Sequence, residues 1–478
     1  DFVSYLAIGG VAAAGARPQA TKTPPPATSV STGQQPADRP TYSVRDFGAM
    51  GRGADETTAI RATIAAASAA HPGGCNIYVP PGRYLVTDML AIGNAMAFIG
   101  AGTGATYFNH RPTADGTFLR VSSGRSQSLN NVIGGFTIYS DDTTHAKRAL
   151  QLMDVSSCDV GNIYIGGSGA GTPRAPYYTG GTGSMGLVTN GREVSHFHDL
   201  RICADYPVYI GPNPNTAPTD GEDCDHFHFE DCYLVGKGHY CYTVEPGIGV
   251  MQLTIDGFQA WVGGTGGFSM NDTRAAPVVP SRGITIKDVR GEQCTDPDGY
   301  LINIAAAARV QTAQLTNVMS SSGSQGIKVN RCLQLALDLV LMATKPGKNS
   351  LLVEGGIGGS TVSIRDSYFQ PDSVFTLTDY QPVSIEAWDR GKTQGPSTAT
   401  YAVTRNNTAL TVDEVSAKRL FPGTPAGAIQ AGCGIYAGTG APSNANGRDG
   451  EYYFRSDTPG TANQRIYVKA GGSWIGIV

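Results

Sequence analysis

Through the middle of the chain, apolar and polar positions alternate over short stretches and then break at a small polar residue, as in FHDLRI, FEDCYL, IDGFQA, IKDVRG, LTNVMS and IRDSYF. The breaks fall at Asp199, Asp231, Gly257, Asp288, Asn317 and Asp366, with a degenerate rung at Leu339 and poorer forerunners at Gly135 and Asn162. Alternation at period two sends successive side chains to opposite faces of a strand. Asp, Asn and Gly suit the break because they bond nearby backbone amides or tolerate positive φ, as a tight corner demands. Successive breaks lie 22 to 37 residues apart, irregular as loop insertions would make them. The pattern predicts parallel strands stacked coil upon coil, with the corner aspartates structural rather than catalytic.

The same alternation sorts the side chains. Phe227 and Phe229, Leu253 and Ile255, Ile284 and Ile286, and Val362 and Ile364 point inward. Their outward partners form two columns: His196, His228, Thr254, Thr285, Gln314 and Ser363, and beside it His198, Glu230, Asp256, Lys287, Thr316, Asp338 and Arg365. Stacked strands lie about 4.8 Å apart, which makes Glu230 and Asp256 neighbours. Such a pair falls near the separations of about 5 to 9.5 Å at which glycosidases hold their two carboxyl groups. A salt-bridge ladder with Lys287 is the equally simple alternative.

A different rhythm opens the chain. Tyr42 and Val44 begin a strand, Asp55 or Thr57 can cap a helix, Ile60, Ile64 and Ala67 recur at helical spacing, and Gly73-Gly74 ends it before a strand at Ile77 and Val79. A short helix here would cover the open end of a stacked core. The residues Val44-Arg45-Asp46-Phe47-Gly48-Ala49, Asp55-Glu56 and Pro80-Pro81-Gly82-Arg83-Tyr84 resemble the opening of the pectate-lyase and polygalacturonase superfamily as it occurs in bacteriophage tailspikes and capsule depolymerases. That resemblance implies an all-β, right-handed parallel β-helix with an N-terminal capping helix.

Composition narrows the function. Lys and Arg number 35 against 39 Asp and Glu, so nothing indicates electrostatic capture of nucleic acid or an anionic membrane. The nine cysteines are scattered singly without zinc-type spacing, and are expected to be mostly reduced and buried. No cofactor or metal centre is predicted. Phe2 to Ala16 is apolar, too short to span a bilayer comfortably, and preceded by Asp1 where a signal peptide needs basic residues. It reads as an anchor on a phage tail or baseplate protein, with Arg17 to Pro40 a proline-rich linker.

Two sites offer the paired acids that glycoside hydrolysis needs, one to protonate the leaving oxygen and one to attack or activate water. The first is Glu230 with Asp256. The second is the acidic loop Asp220 to Asp225, in which Glu222 and Asp223 are the candidates and a solvated loop or weak calcium site the alternative. His239 and Glu245 would extend the groove, His198 and His228 would flank it, and Tyr240, Tyr242 and Trp261 would stack on sugars. A lyase route would draw on Arg274, Lys287 and Arg290. Polygalacturonases carry Asn-Thr-Asp, Asp-Asp, Gly-His-Gly and Arg-Ile-Lys; here stand only Glu222-Asp223, Gly238-His239-Tyr240 and Gly326-Ile327-Lys328, so no catalytic residue carries over from that branch.

After about Trp388 the rungs fade and Gly432 to Val478 becomes short strands with turn residues at Asn446-Gly447, Asp449-Gly450 and Gly471-Gly472, read as hairpins. This run resembles the terminal segment of phage tail fibres and spikes, which implies trimerisation or receptor contact. The expected domains are an anchor and linker over 1–40, a β-helix over 41–388 and a C-terminal antiparallel β-rich domain over 389–478. The expected protein is a homotrimeric virion tailspike that binds and cleaves a bacterial surface polysaccharide. A non-catalytic tail fibre and a secreted pectin-type lyase or hydrolase are the alternatives.

Overall fold

The computed structural model describes residues 39–476 apart from 122–127, 167–177, 179–182, 212–223, 387–399, 410–434, 444–451, 456–465 and shorter gaps of one to four residues. Residues 1–38 of the expected anchor and linker over 1–40, together with the corner Asp366, lie outside the described residues. The described residues within 41–405 form a right-handed parallel β-helix closed at its start by one α-helix, Thr57–Ala70.

One coil illustrates the rest. The strand Ser195–Ala204 runs along a first face, turns at Asp199, and continues along a second face, before Tyr206–Ile210 makes the third. On the next coil Phe227–Glu230, Tyr233–Gly236 and Tyr240–Val244 pair with these three segments, all in parallel. The expected corners are left-handed: φ is 52° at Asn162, 50° at Asp199 and Asp231, 54° at Asp288, 51° at Asn317 and 54° at Leu339. Gly257, at φ 65°, has a second reason to be glycine, since a Cβ there would lie 2.5 Å from Asp231 Oδ1. A second left-handed column, Asn130, Ser157, His226, Gln252, Gly283 and Arg331, opens the first face from its other edge. Its side chains share no chemistry, so the sequence does not mark it.

The interior is continuous and apolar. Phe197 and Phe229 stack at 4.6 Å, and Tyr242 meets Phe229 and Phe258 edge-on at 5.2 and 5.0 Å. Each fully buried aromatic of this kind contributes about 1.5–3 kcal/mol through removal of its surface from water. Seven cysteines, at 75, 158, 203, 224, 232, 241 and 332, are free and buried, while Cys294 and Cys433 lie outside the described residues.

At the start, Asp55 Oδ1 accepts from the Thr57 amide at 3.1 Å, and Glu56 Oε1 accepts from the Met50 and Gly51 amides at 2.7 and 2.8 Å. Ile60, Ile64 and Ala67 bury their side chains in the core. The strand expected to include Val44 ends at Ser43, and Val44–Phe47 is a 3-10 turn whose Val44 is still buried. At the other end the parallel stack continues past 388, because Thr400–Arg405 pairs with Val374–Thr378. Beyond it, Tyr452–Arg455, Ile466–Ala470 and Ser473–Gly476 form antiparallel pairs, but Ile435–Gly438 runs parallel to Tyr452–Arg455 and is not a hairpin partner. No described helix is long and apolar enough to cross a membrane.

Candidate functional site

The first face carries the ladder. Backbone register stacks His198, Glu230, Asp256, Lys287, Thr316, Asp338 and Arg365 in one column. Beside it run Asp159, His196, His228, Thr254, Thr285 and Gln314. The inward partners Phe227, Phe229, Leu253, Ile255, Ile284 and Ile286 are all buried, and that burial fixes which side chains face out.

The two adjacent acids of the ladder, Glu230 and Asp256, each meet a basic group. Lys287 Nζ lies 2.5 Å from Asp256 Oδ2, and His196 Nε2 lies 2.9 Å from Glu230 Oε2. Below them His198 is held on both sides, Nε2 at 3.1 Å from Asp159 Oδ1 and Nδ1 at 3.0 Å from Asp199 Oδ2. The Asp159 hydrogen bond, opposed by burial and assisted by Asp199, pushes the His198 imidazole up to about 9. The same bond holds the Asp159 carboxyl below its usual range. One rung above, burial and then the neighbouring His196 pull His228 below the usual imidazole range. The imidazoles of His196 and His228 lie 5.1 Å apart, and those of His196 and His198 4.9 Å.

Asp159 is a site residue that sequence reasoning missed. It stands three residues before the corner Asn162, as His196 stands before Asp199 and His228 before Asp231. Counting three back from each corner would have found it. Gly161 was missed too; it is the bare seat beneath the His198 ring.

Other expected site residues lie elsewhere. Tyr240–Val244 belongs to the third face, and His239 and Glu245 flank that strand, so none of them joins Glu230 and Asp256 on the ladder. His239 stacks on Tyr206 at 3.7 Å between ring centres, and burial lowers its pKa. Burial, followed by the Glu245 charge, pushes Tyr209 up to about 12. Tyr240 is half-buried, its hydroxyl accepting from the Tyr300 amide at 3.4 Å. Tyr242 is fully buried, which corrects its reading as a sugar-stacking surface: inward alternation drives it into the aromatic core. Arg274 is likewise corrected. Its guanidinium is clasped by Asp272 at 2.7 and 2.6 Å, with its side chain only 10% exposed, and so is committed to the fold. Glu222, Asp223 and the side chain of Trp261 lie outside the described residues. Of the acidic loop, Asp225 is described, and it is a buried strand residue against His226.

Comparison with known proteins finds similarity mainly before the ladder residues His196 to Arg365. Residues 41–171 match the family described as rhamnogalacturonase A/epimerase, pectate lyase-like. A probable rhamnogalacturonase E of Aspergillus niger is 30% identical over 147 residues, 29% of this chain and 31% of that protein. The mannuronan C5-epimerase AlgE6 of Azotobacter vinelandii is 42% identical over 100 residues, 19% of this chain and 10% of that protein. The chain thus spans less than a third of the length of either relative. Among solved structures, a family 28 exopolygalacturonase of Yersinia enterocolitica covers 78% of this chain and 79% of its own at 12% identity and a TM-score of 0.44.

Proposed function

We propose that this chain binds a polysaccharide along the ladder face and cleaves it there, with Glu230 and Asp256 as the working carboxyl pair. The observation that carries the reading is the in-register stack of His198, Glu230, Asp256 and Lys287 on a solvent-facing sheet. Similarity to proteins named for rhamnogalacturonase and mannuronan epimerase activity supports polysaccharide chemistry. In hydrolysis one carboxyl group protonates the glycosidic oxygen while the other attacks the anomeric carbon or activates water on the opposite side. The biological setting we infer is a homotrimeric phage-type tailspike acting on a bacterial capsule, exopolysaccharide or O-antigen, a reading that rests on the sequence resemblances at the two ends of the chain.

A second reading has a specific observation in its favour. The Lys287 ammonium beside Asp256 suits neutralisation of a uronate carboxylate while a base removes the adjacent carbon-bound proton, as a lyase or epimerase requires.

The test is product analysis of candidate host glycans treated with the purified chain. Hydrolysis releases reducing ends, a lyase adds ultraviolet absorbance from an unsaturated uronate, and an epimerase changes the sugar's NMR signature without chain cleavage. Glu230→Gln with Asp256→Asn should retain glycan binding and lose about 100-fold or more in turnover. Unchanged turnover would remove the pair from the mechanism, and binding without any product would favour a non-catalytic fibre. A stable monomer by solution mass would contradict the trimer.

A further inference from the structure

The head of the ladder concentrates donor atoms of another kind. Three imidazoles and two carboxylates from successive coils meet there. The ligand atoms of His196, His228 and Glu230 lie within 4.8 Å of one another, as do those of Asp159, His196 and His198. The two triads share His196. They differ in what their donors are already doing: both ring nitrogens of His198 are bonded, whereas His228 Nε2 is buried with no hydrogen-bond partner among the described residues.

We propose that His196, His228 and Glu230 form a binding site for a divalent transition-metal ion, with zinc as its best match. Two imidazole nitrogens and one carboxylate oxygen are the donor set of open zinc sites and of two-histidine, one-carboxylate centres, and imidazole disfavours the oxygen-seeking calcium and magnesium ions. Ligands at about 2.1 Å from one ion stand about 3.0 Å apart at a right angle and about 3.4 Å apart at a tetrahedral one. The 2.9 Å between His196 Nε2 and Glu230 Oε2 therefore needs to open by only a few tenths of an ångström.

The backbone supplies the preorganisation. His228 and Glu230 are two residues apart on one strand and share its outer face, while His196 lies in register beside His228 on the neighbouring strand. All three ligands thus come from regular sheet, not from loops, which fixes their spacing before any ion arrives. Asp159 completes the arrangement: its Oδ1 is 4.0 Å from His196 Nδ1, near enough to accept that N–H once Nε2 turns to a metal. The side chains of His196 and Glu230 are 39% and 43% exposed, so the remaining coordination positions face solvent on the ladder, one rung from Asp256. A sugar hydroxyl or carboxylate could occupy them. Glu230 also belongs to the carboxyl pair proposed above, and a carboxylate that binds a metal ion is not free to transfer a proton, so the two readings compete for this residue; the test here reads metal binding alone.

The experiment uses the full chain, free of any histidine tag. Zinc is titrated by calorimetry near pH 7.5, and cobalt(II) by its visible absorption with zinc as competitor. We expect one ion per chain at micromolar affinity or better, displacement of cobalt by zinc, and no comparable binding of calcium. His228→Gln and Glu230→Gln should each weaken binding by about 10- to 100-fold or more, and Asp159→Asn by about 10-fold through loss of the orienting carboxylate. Circular dichroism of the metal-free variants separates a lost ligand from a lost fold. The half-exposed Glu230→Gln carries the test if a histidine variant fails to fold. Absence of saturable zinc binding at millimolar concentration, undiminished binding by a folded Glu230→Gln chain, or tighter binding of calcium than of zinc would each overturn the proposal.

Discussion

His198 lies directly over Gly161, one coil below, and its imidazole fills the space that any side chain there would need: a Cβ on Gly161 would come within 2.2 Å of the ring. The ladder thus begins with an absence. Gly161→Ala has to expel the ring and break its 3.1 Å bond to Asp159. Urea denaturation should show a loss of about 1–3 kcal/mol from the overpacking. The same substitution in a His198→Ala background should cost much less, because the competing ring is gone. Equal costs in the two backgrounds would mean that the contact is not what constrains position 161.

Acid should weaken this protein through His110. Its ring is fully buried, with Nδ1 at 2.5 Å from the Tyr178 hydroxyl. Burial, and then the Lys147 charge, lower its pKa from 6.5 to about 3, against smaller opposing effects of Asp142 and Asp88. The folded chain therefore binds fewer protons here than the unfolded chain does. The resulting stability is fully present above pH 6.5 and is lost as pH falls toward 3, by an amount on the order of a few kcal/mol. Denaturant midpoints between pH 7.5 and 4.5 should fall less steeply for His110→Gln than for the native chain, and parallel slopes would show that another group is responsible.

The difference between what the sequence disclosed and what it hid follows from which residues carry their own conformational signature. Asp199, Asp231, Asp288 and Asn317 announce a left-handed corner because their short side chains ease positive φ, and counting by twos from them recovers the ladder from His198 to Arg365. Asp159 escaped because its corner, Asn162, belongs to a rung with a weak apolar phrase. His239 and Glu245 were expected to extend the groove and Tyr240 to stack on sugars there, on the strength of nearness in sequence; a coil of three faces carries the strand Tyr240–Val244 round to another sheet. Tyr242 and Arg274 failed for a simpler reason. A hydroxyl or guanidinium suggests a surface, yet the one is packed between Phe229 and Phe258 and the other neutralised by Asp272 two residues away.

Leu339 is the corner at which local chemistry and backbone disagree. It holds φ at 54° without the polar side chain that its counterparts use, and leaves its own side chain 52% exposed. A non-glycine residue in the left-handed region costs about 1–2 kcal/mol, and little burial offsets that here. Leu339→Gly, or Leu339→Asn in keeping with the column, should stabilise the chain by roughly 0.5–1 kcal/mol. A rise in the urea midpoint with an unchanged slope is the expected signature, and a fall would show that the exposed leucine makes contacts worth more than its strain.

Lys287 separates a structural ladder from a working one. Its ion pair with Asp256 is short, at 2.5 Å, but the lysine side chain is 40% exposed and that of the aspartate 21%. Exposed pairs of this sort contribute about 0–1 kcal/mol, since solvent screening and side-chain entropy consume most of the attraction. Lys287→Met keeps the aliphatic stem and removes the charge, so its effect on stability should stay below about 1 kcal/mol. If the ladder engages an anionic glycan, the same substitution should lower kcat/KM by about 10-fold or more, and added salt should weaken the native chain's binding while leaving the variant's nearly unchanged. A variant that matched the native chain in turnover and in salt response would reduce the Asp256–Lys287 pair to an ornament of the sheet, and would move the search for the glycan's contacts to another face.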